Sequence, residues 1–260
     1  MKIIILAGGL GTRLSEETVN KPKPMVLLDD KPILWHLMSI FSKQGFNDFV
    51  LALGYKSEVV KRWLVDLNEL SGNIRIETKS NRFSKLDHSP EIDWNIIALE
   101  TGLDSLTGKR IKKCLDVFPN ERVLVTYGDG LANINLENLI NFHESHGRIA
   151  TVTAVHPPAR FGYMEIGQSE NVEVFSEKNQ LNTGWINGGF FILEPEVSKY
   201  LPDDNSAFET SVLPKLVEDN NLMAYKHESF WQPMDTIREK EELGKLAKLS
   251  TPPWLLGLDR

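Results

Sequence analysis

The chain has 260 residues, 41% of them hydrophobic and 25% charged, enough to bury a full core, which excludes a peptide-like or disordered protein. Lys plus Arg number 29 against 36 Asp plus Glu, a formal net charge of -7. That balance disfavours a general nucleic-acid binder, because attraction to a phosphate backbone needs clustered cations. The single cysteine, Cys114, can form neither an intrachain disulfide nor a thiolate zinc site and fits a reducing compartment, so the expected location is cytoplasmic. No run of about 20 apolar residues offers a membrane span, and the opening residues are too few before Gly8 for a signal-peptide core.

In chain order, Lys2–Leu6 is a β-branched apolar run stopped by Ala7, Gly8 and Gly9, the pattern of a strand buried on both faces of a parallel sheet. Pro32 opens a helix in which Ile33, Leu37, Ile40 and Phe41 recur at helical spacing up to Gly45. Asp48–Leu53 is the next buried strand, 56–67 reads as a helix, and 74–78 and 94–99 read as strands, so strands and helices alternate as in an α/β protein. A helix is expected around 109–117, and 122–127 is a strong strand that ends abruptly at Gly128, Asp129 and Gly130. Then come a helix over Leu136–His146 and a strand over 149–155. Segments 161–166 and 172–178 alternate as antiparallel strands do. The strand 185–193 carries Gly188 and Gly189 at its middle, where something must approach the backbone closely. Helices over 208–219 and 236–249 flank a last strand near 223–226. No repeat, low-complexity tract or flexible linker divides the chain, so one mixed-sheet α/β domain with an embedded antiparallel part is expected.

The loop Leu6, Ala7, Gly8, Gly9, Leu10, Gly11, Thr12, Arg13 is the most informative feature. Its three glycines let backbone N–H groups face an anion without side-chain obstruction. No Gly-Lys-Ser/Thr closes it as in a Walker A loop, and Leu14 stands where a dinucleotide fingerprint has its third glycine. A phosphate site charged by Arg13 and an ordinary glycine-rich turn both fit. Pro22 and Pro24 limit where Lys23 can point, which suits a phosphate as well as a solvated basic turn. Asp129, between two glycines at a strand end, can reach a hard cation on triphosphate oxygens or serve as a polar turn residue. Asp235 reads as the N-cap or first-turn acid of the last helix, and Glu177 with Lys178 as an exposed charge pair. Asn187 and Gly188 suit either a contact to sugar hydroxyls or a strand bulge. The six histidines show no metal spacing.

The opening loop, with a proline-flanked lysine ten residues after its arginine, resembles the sugar-1-phosphate nucleotidylyltransferases. Segments 15–25, 31–36, 126–130, 186–191 and 230–236 resemble the branch of that family that makes CDP-glucose, and the likeness runs from residue 1 to about 249. The resemblance implies a Rossmann-like, mostly parallel sheet flanked by helices and extended by sugar-binding strands. Within one domain over 1–260, residues 1–130 would mainly hold nucleotide and 131–250 sugar phosphate. It implies an Mg²⁺-dependent reaction of CTP with a sugar 1-phosphate, here glucose 1-phosphate, giving nucleotide sugar and pyrophosphate. By residue, it implies Arg13, Lys23 and Asp129 as catalytic and Asp129 with Asp235 on the metal. Leu6, Ala7, Gly8, Gly9, Gly11, Thr12, Arg13, Lys23 and Gly128 would surround the nucleotide, with Ser105 and Arg110 on base and ribose. Glu177 would meet the sugar hydroxyls, Lys178 the sugar phosphate, and Asn187 and Gly188 the sugar; Asn179 replaces the proline usual after that lysine. It further implies a homo-oligomer serving surface-polysaccharide synthesis, with neither nucleic acid nor membrane as partner. The competing readings are the same chemistry with UTP or dTTP, a nucleotide-sugar-binding protein without catalysis, and a nicotinamide-dependent reductase. The intact set of Arg13, Lys23, Asp129 and Asp235 weighs against the second, and the failed dinucleotide fingerprint against the third.

Overall fold

The first apolar run forms strand β1 (Lys2–Leu6), in the interior of a seven-stranded sheet. The computed structural model describes residues 1–70, 72–86, 92–158, 163–176 and 184–258. The other strands of this sheet are β2 (Asp48–Leu53), β3 (Asn95–Glu100), β4 (Val123–Tyr127), β5 (Ala150–Val155), β6 (Ile186–Leu193) and β7 (Leu222–Lys226). They lie in the order β7-β5-β6-β4-β1-β2-β3. Parallel ladders join β3, β2, β1 and β4, and also β5 and β7. Only β6 runs the other way, antiparallel to both β4 and β5. The sheet is therefore mixed and mostly parallel, as the sequence predicts.

Besides the single helical turn Ser15–Thr18, six α-helices accompany it among the described residues: α1 (Ile33–Ser42), α2 (Ser57–Glu69), α3 (Thr107–Val117), α4 (Leu136–His146), α5 (Leu213–Glu218) and α6 (Ile237–Ala247). Ile3 and Ile5 join Leu51, Phe190, Leu37 and Phe41 in one core layer, whereas Ile4 joins Val50, Val125, Phe191, Ile111 and Cys114 in the other. Successive strand residues point to opposite faces, so a strand covered on both sides must be apolar throughout. This is the reason the central strands read as unbroken hydrophobic runs. Burial also pushes the Cys114 thiol up to about 12, so it stays protonated and packs as a small apolar group. Among the described residues no helix is long and apolar enough to cross a membrane.

Two predicted elements take a different form. The strand Ile74–Glu77 pairs with Arg82–Lys85 in a hairpin outside the main sheet. Arg75 and Glu77 alternate with apolar residues there, a pattern that central parallel strands cannot bury. The helix expected over 208–219 begins as a turn of π-helix, Phe208–Val212, and becomes α-helical only at α5. Pro214 lies at that junction, where it has no N–H to offer an i−4 carbonyl. The antiparallel pair predicted in the second half is present as Tyr163–Ile166 with Val172–Ser176.

A further short ladder joins Gly130–Ala132 to Trp231–Pro233, and the Met234 N–H donates to the Asp129 carbonyl at 2.8 Å. It carries the start of α6 to the end of β4. Thr236, not Asp235, is the N-cap of α6: its side chain accepts from the Glu239 N–H at 3.2 Å, and Glu239 accepts from the Thr236 N–H at 2.9 Å and the Asp235 N–H at 2.8 Å. This capping box leaves the Asp235 carboxylate free to point away from its own helix. Thr236→Ala should cost about 1 kcal/mol of stability, read as a lowered urea midpoint with unchanged slope. An unchanged midpoint would show that the box holds nothing.

Candidate active site

β1 lies between β2 and β4, so the chain leaves the carboxyl ends of β1 and β4 toward opposite sides, and a crevice opens between the two departing loops. A cavity of about 340 Å³ fills it. Leu6, Ala7, Gly8, Gly9, Gly11, Thr12 and Arg13 line it from the loop after β1, Ser105 and Arg110 from around the start of α3, and Gly128 and Asp129 from the end of β4, with Lys23 between. The nucleotide-binding candidates of the sequence thus meet on one cavity. Pro24, Leu106, Thr107 and Tyr127 line it as well; Leu106 and Thr107 carry no motif by which the sequence could have singled them out.

At one side of the cavity, four charged groups interlock. Pro22 is extended and Lys23–Met25 forms a single 3-10 turn, closed by the Met25 N–H on the Pro22 carbonyl at 2.8 Å. The prolines therefore aim the side chain as expected, and Lys23 is only 7% exposed. Its ammonium donates to Asp129 Oδ2 and to Asp235 Oδ1, each at 2.6 Å. Arg13 donates to Asp235 Oδ2, also at 2.6 Å, with its side chain otherwise open to solvent. A nearly buried ammonium is tolerated because both carboxylates compensate its lost hydration.

The same donors fit a divalent metal. Two hard carboxylate oxygens converge on one positively charged point, and magnesium-type sites take one or two carboxylates and complete their shell with phosphate oxygens and water. Among the described residues no group of three or more His, Cys, Asp and Glu could hold a metal unaided, so the rest of such a shell would come from nucleotide and solvent.

Arg110 lines the cavity and is held there by backbone and hydroxyl acceptors. It is 4% exposed, and its Nη1 donates to the Leu53 carbonyl (3.0 Å) and Thr101 Oγ1 (2.6 Å), its Nη2 to the Gly8 (2.9 Å) and Leu103 (3.2 Å) carbonyls. Only the Nε–H of its five donors has no partner among these bonds. Gly8 is required for this contact: a Cβ there would collide with the guanidinium and lie 2.9 Å from the Gly54 nitrogen. At Gly9, by contrast, a Cβ would meet nothing within 4 Å, so Gly8 serves the guanidinium beneath the loop.

The sugar-side candidates divide. Glu177 and Lys178 lie outside the described residues. Asn187 is exposed and its Oδ1 accepts from the Gly189 N–H at 2.8 Å. A Cβ at Gly188 would sit 2.8 Å from Val155 Cγ1 and 2.9 Å from the Thr153 carbonyl oxygen, so its backbone packs closely on β5. Gly189, at φ 81°, lies against the Tyr127 ring. The β5–β6 register shifts between Val152 and Ala154, a strand irregularity that by itself calls for glycine here.

A crevice at the carboxyl ends of a mostly parallel sheet, with a glycine loop, paired cations and paired carboxylates, is the arrangement expected of an enzyme that works on phosphate esters. Residues 2–238 match the family described as nucleotidyl transferase, and the chain belongs to that family. It is 43% identical, over 98% of both chains, to glucose-1-phosphate cytidylyltransferase of Salmonella typhi. It is 42% identical to the probable glucose-1-phosphate cytidylyltransferase of Bacillus subtilis, over 98% of this chain and 99% of that one. In fold it is similar to HddC of Yersinia pseudotuberculosis complexed with GMP-PN, at a TM-score of 0.67 and 24% identity, over 95% of this chain and 99% of the other. The family works on nucleotide and sugar phosphate and generally uses a divalent metal.

Arg110→Ala should lower stability by several kcal/mol, since hydrogen bonds to charged groups contribute about 1.5–3 kcal/mol each and solvent replaces only some of them. Arg110→Lys should not restore it, because one ammonium cannot span both pairs of acceptors. Urea unfolding of the two variants is the measurement. A wild-type midpoint combined with weakened nucleotide binding would return Arg110 to the role of a ligand.

Proposed function

We propose that the protein transfers the cytidylyl group of CTP to α-D-glucose 1-phosphate, forming CDP-glucose and pyrophosphate. The observation that carries this reading is the convergence of Arg13, Lys23, Asp129 and Asp235 beside the glycine-loop cavity. The near full-length likeness to glucose-1-phosphate cytidylyltransferases supports the choice of base and sugar.

A phosphate oxygen of the sugar 1-phosphate attacks the α-phosphorus of CTP in line, and pyrophosphate leaves with the electron pair of the broken P–O bond. No covalent bond to the protein is needed, so catalysis rests on positioning and on charge placed where it develops. Backbone N–H groups of the loop 8–12 hold the triphosphate, while Gly128, whose N–H is given to the Leu6 carbonyl, lines the site. Lys23 turns from its two carboxylates to the reacting phosphate, and Arg13 turns from Asp235 to the triphosphate. Mg²⁺, held by Asp129 and Asp235, would neutralise phosphate charge. Lys178 meets the incoming phosphate, Glu177 and Asn187 the sugar hydroxyls. Residues 1–130 thus serve mainly the nucleotide and 131–250 the sugar phosphate. The enzyme works in the cytoplasm as a homo-oligomer and feeds surface-polysaccharide synthesis.

Pyrophosphate release with four nucleoside triphosphates against several sugar 1-phosphates tests the reaction. CTP with glucose 1-phosphate should be preferred; equal turnover of UTP or dTTP would overturn the base, and no release with any pair would overturn the reaction. Asp129→Asn and Asp235→Asn should each abolish most turnover while melting like a folded protein, since shape is kept and charge removed. Near-wild-type activity of either at limiting Mg²⁺ would end its metal role.

The cations should separate kinetically. Lys23→Ala should lower kcat, whereas Lys178→Ala should chiefly raise KM for the sugar phosphate and Arg13→Ala should affect both constants for CTP. Each loss should be roughly tenfold to a hundredfold, from about 1.5–3 kcal/mol per charge-assisted contact. A Lys23→Ala enzyme with unchanged kcat at saturating substrates would refute its role in the transition state.

A further inference from the structure

The cavity wall around the start of α3 carries hydroxyl groups whose protons are already committed. Ser105 Oγ donates to the Thr101 carbonyl at 2.6 Å. Thr107 Oγ1 donates to Glu209 Oε2 at 2.6 Å and accepts from the Phe208 N–H at 2.9 Å. The Tyr127 hydroxyl donates to Glu209 Oε1. Ser105, Thr107 and Tyr127 all line the cavity, while Glu209 stands beside them on the π-helical turn.

A hydroxyl has one proton and two acceptor lone pairs, whereas an ionised carboxylate only accepts. Both hydroxyls bonded to Glu209 must therefore point their protons at it, and each can offer a ligand only a lone pair, with the Asn187 side chain also hydrogen-bonded to Tyr127. Burial, helped by the Glu209 charge, pushes the Tyr127 pKa upward, so its proton stays in place. Two neighbouring donors are also withdrawn: the Leu106 N–H is given to Asn205 Oδ1 at 2.8 Å, and the Arg110 Nη groups to the carbonyls and Thr101 described above.

We propose that these hydroxyls, whose protons are committed elsewhere, select the base, accepting from the exocyclic amino group of cytosine and rejecting a pyrimidine that carries a carbonyl at that ring position. A carbonyl there brings lone pairs against lone pairs, and a polar group left unpaired in a closed site costs far more than a missing apolar contact. Glu209 touches no substrate; it is a positioning residue that acts through Thr107 and Tyr127. This inference rests on the cytidylyltransferase reading above.

The test compares kcat/KM for CTP and UTP, with glucose 1-phosphate as acceptor, in wild type, Glu209→Gln, Thr107→Val and Ser105→Ala, each checked by thermal melting. Glutamine keeps the shape of glutamate but offers one amide donor, so one of the two hydroxyls must turn its proton toward the cavity. The CTP to UTP ratio should fall about tenfold or more in Glu209→Gln, mainly through a gain with UTP. Thr107→Val and Ser105→Ala should lower the ratio through a loss with CTP. If Glu209→Gln does not fold, those two variants decide. A wild type that prefers CTP, together with folded variants that lose both nucleotides equally, would overturn the inference and leave the reaction standing. A wild type that does not use CTP would overturn the reaction itself, and the inference with it.

Discussion

Lys23 lies between two carboxylates that are 106 and 212 residues away along the chain, and most of the site's architecture exists to make that meeting possible. An ammonium this buried is stable only with opposite charge in contact, and two carboxylates this close to each other are stable only with a cation between them. Each partner solves the other's problem. The prolines fix where the ammonium points, the ladder of Gly130–Ala132 with Trp231–Pro233 fixes the distance between the two aspartates, and the Thr236–Glu239 box keeps Asp235 from being spent on its own helix. The cluster is also a store of exchangeable charge. Cations resting on carboxylates at 2.6 Å can be handed to phosphate oxygens with little change in net charge, which suits a site that must receive a highly charged nucleotide.

A second cation does the opposite kind of work. The Arg110 guanidinium joins the carbonyl of Leu53 at the end of β2, that of Gly8 in the loop after β1, and Thr101 just beyond β3. Three neighbouring strand ends are thereby tied to one planar group. Glycine itself is permissive, and the Gly8 carbonyl is anchored from below by Arg110 and by the Tyr55 N–H. One arginine holds the loop, the other reaches across it, and the sequence contains no sign of which is which.

The strands around β1 were legible because both their faces are buried, so Ile3, Ile4 and Ile5 or Val123, Leu124 and Val125 had to be apolar together. The glycine loop and the proline-flanked lysine were legible because backbone constraint is written in residue type. The ladder at Gly130–Ala132 was not: three residues show no period, and its partner strand lies about a hundred positions away. The bonds of Arg110 to Leu53, Gly8 and Leu103 were not legible, since backbone carbonyls are present everywhere and leave no mark in a sequence. Glu209 sits in a segment whose pattern reads as plain helix, and only the π-turn discloses that its carboxylate faces Thr107 and Tyr127. Gly188 and Gly189 announced a close approach, yet the approaching groups proved to be β5 and the Tyr127 ring.

The contact between Lys23 and Asp235 has a consequence for how the molecule comes into being. The central strand is made first, and its neighbours β2 and β4 can pair with it while synthesis continues, since domains gather structure as they emerge. The last carboxylate arrives only with the beginning of α6. Until then a nascent chain can hold a nearly complete sheet around a lysine that still lacks one of its partners, and it must keep that ammonium in water. The charged cluster can therefore close only after nearly the whole chain has been made, because Asp235 lies at the start of the last helix.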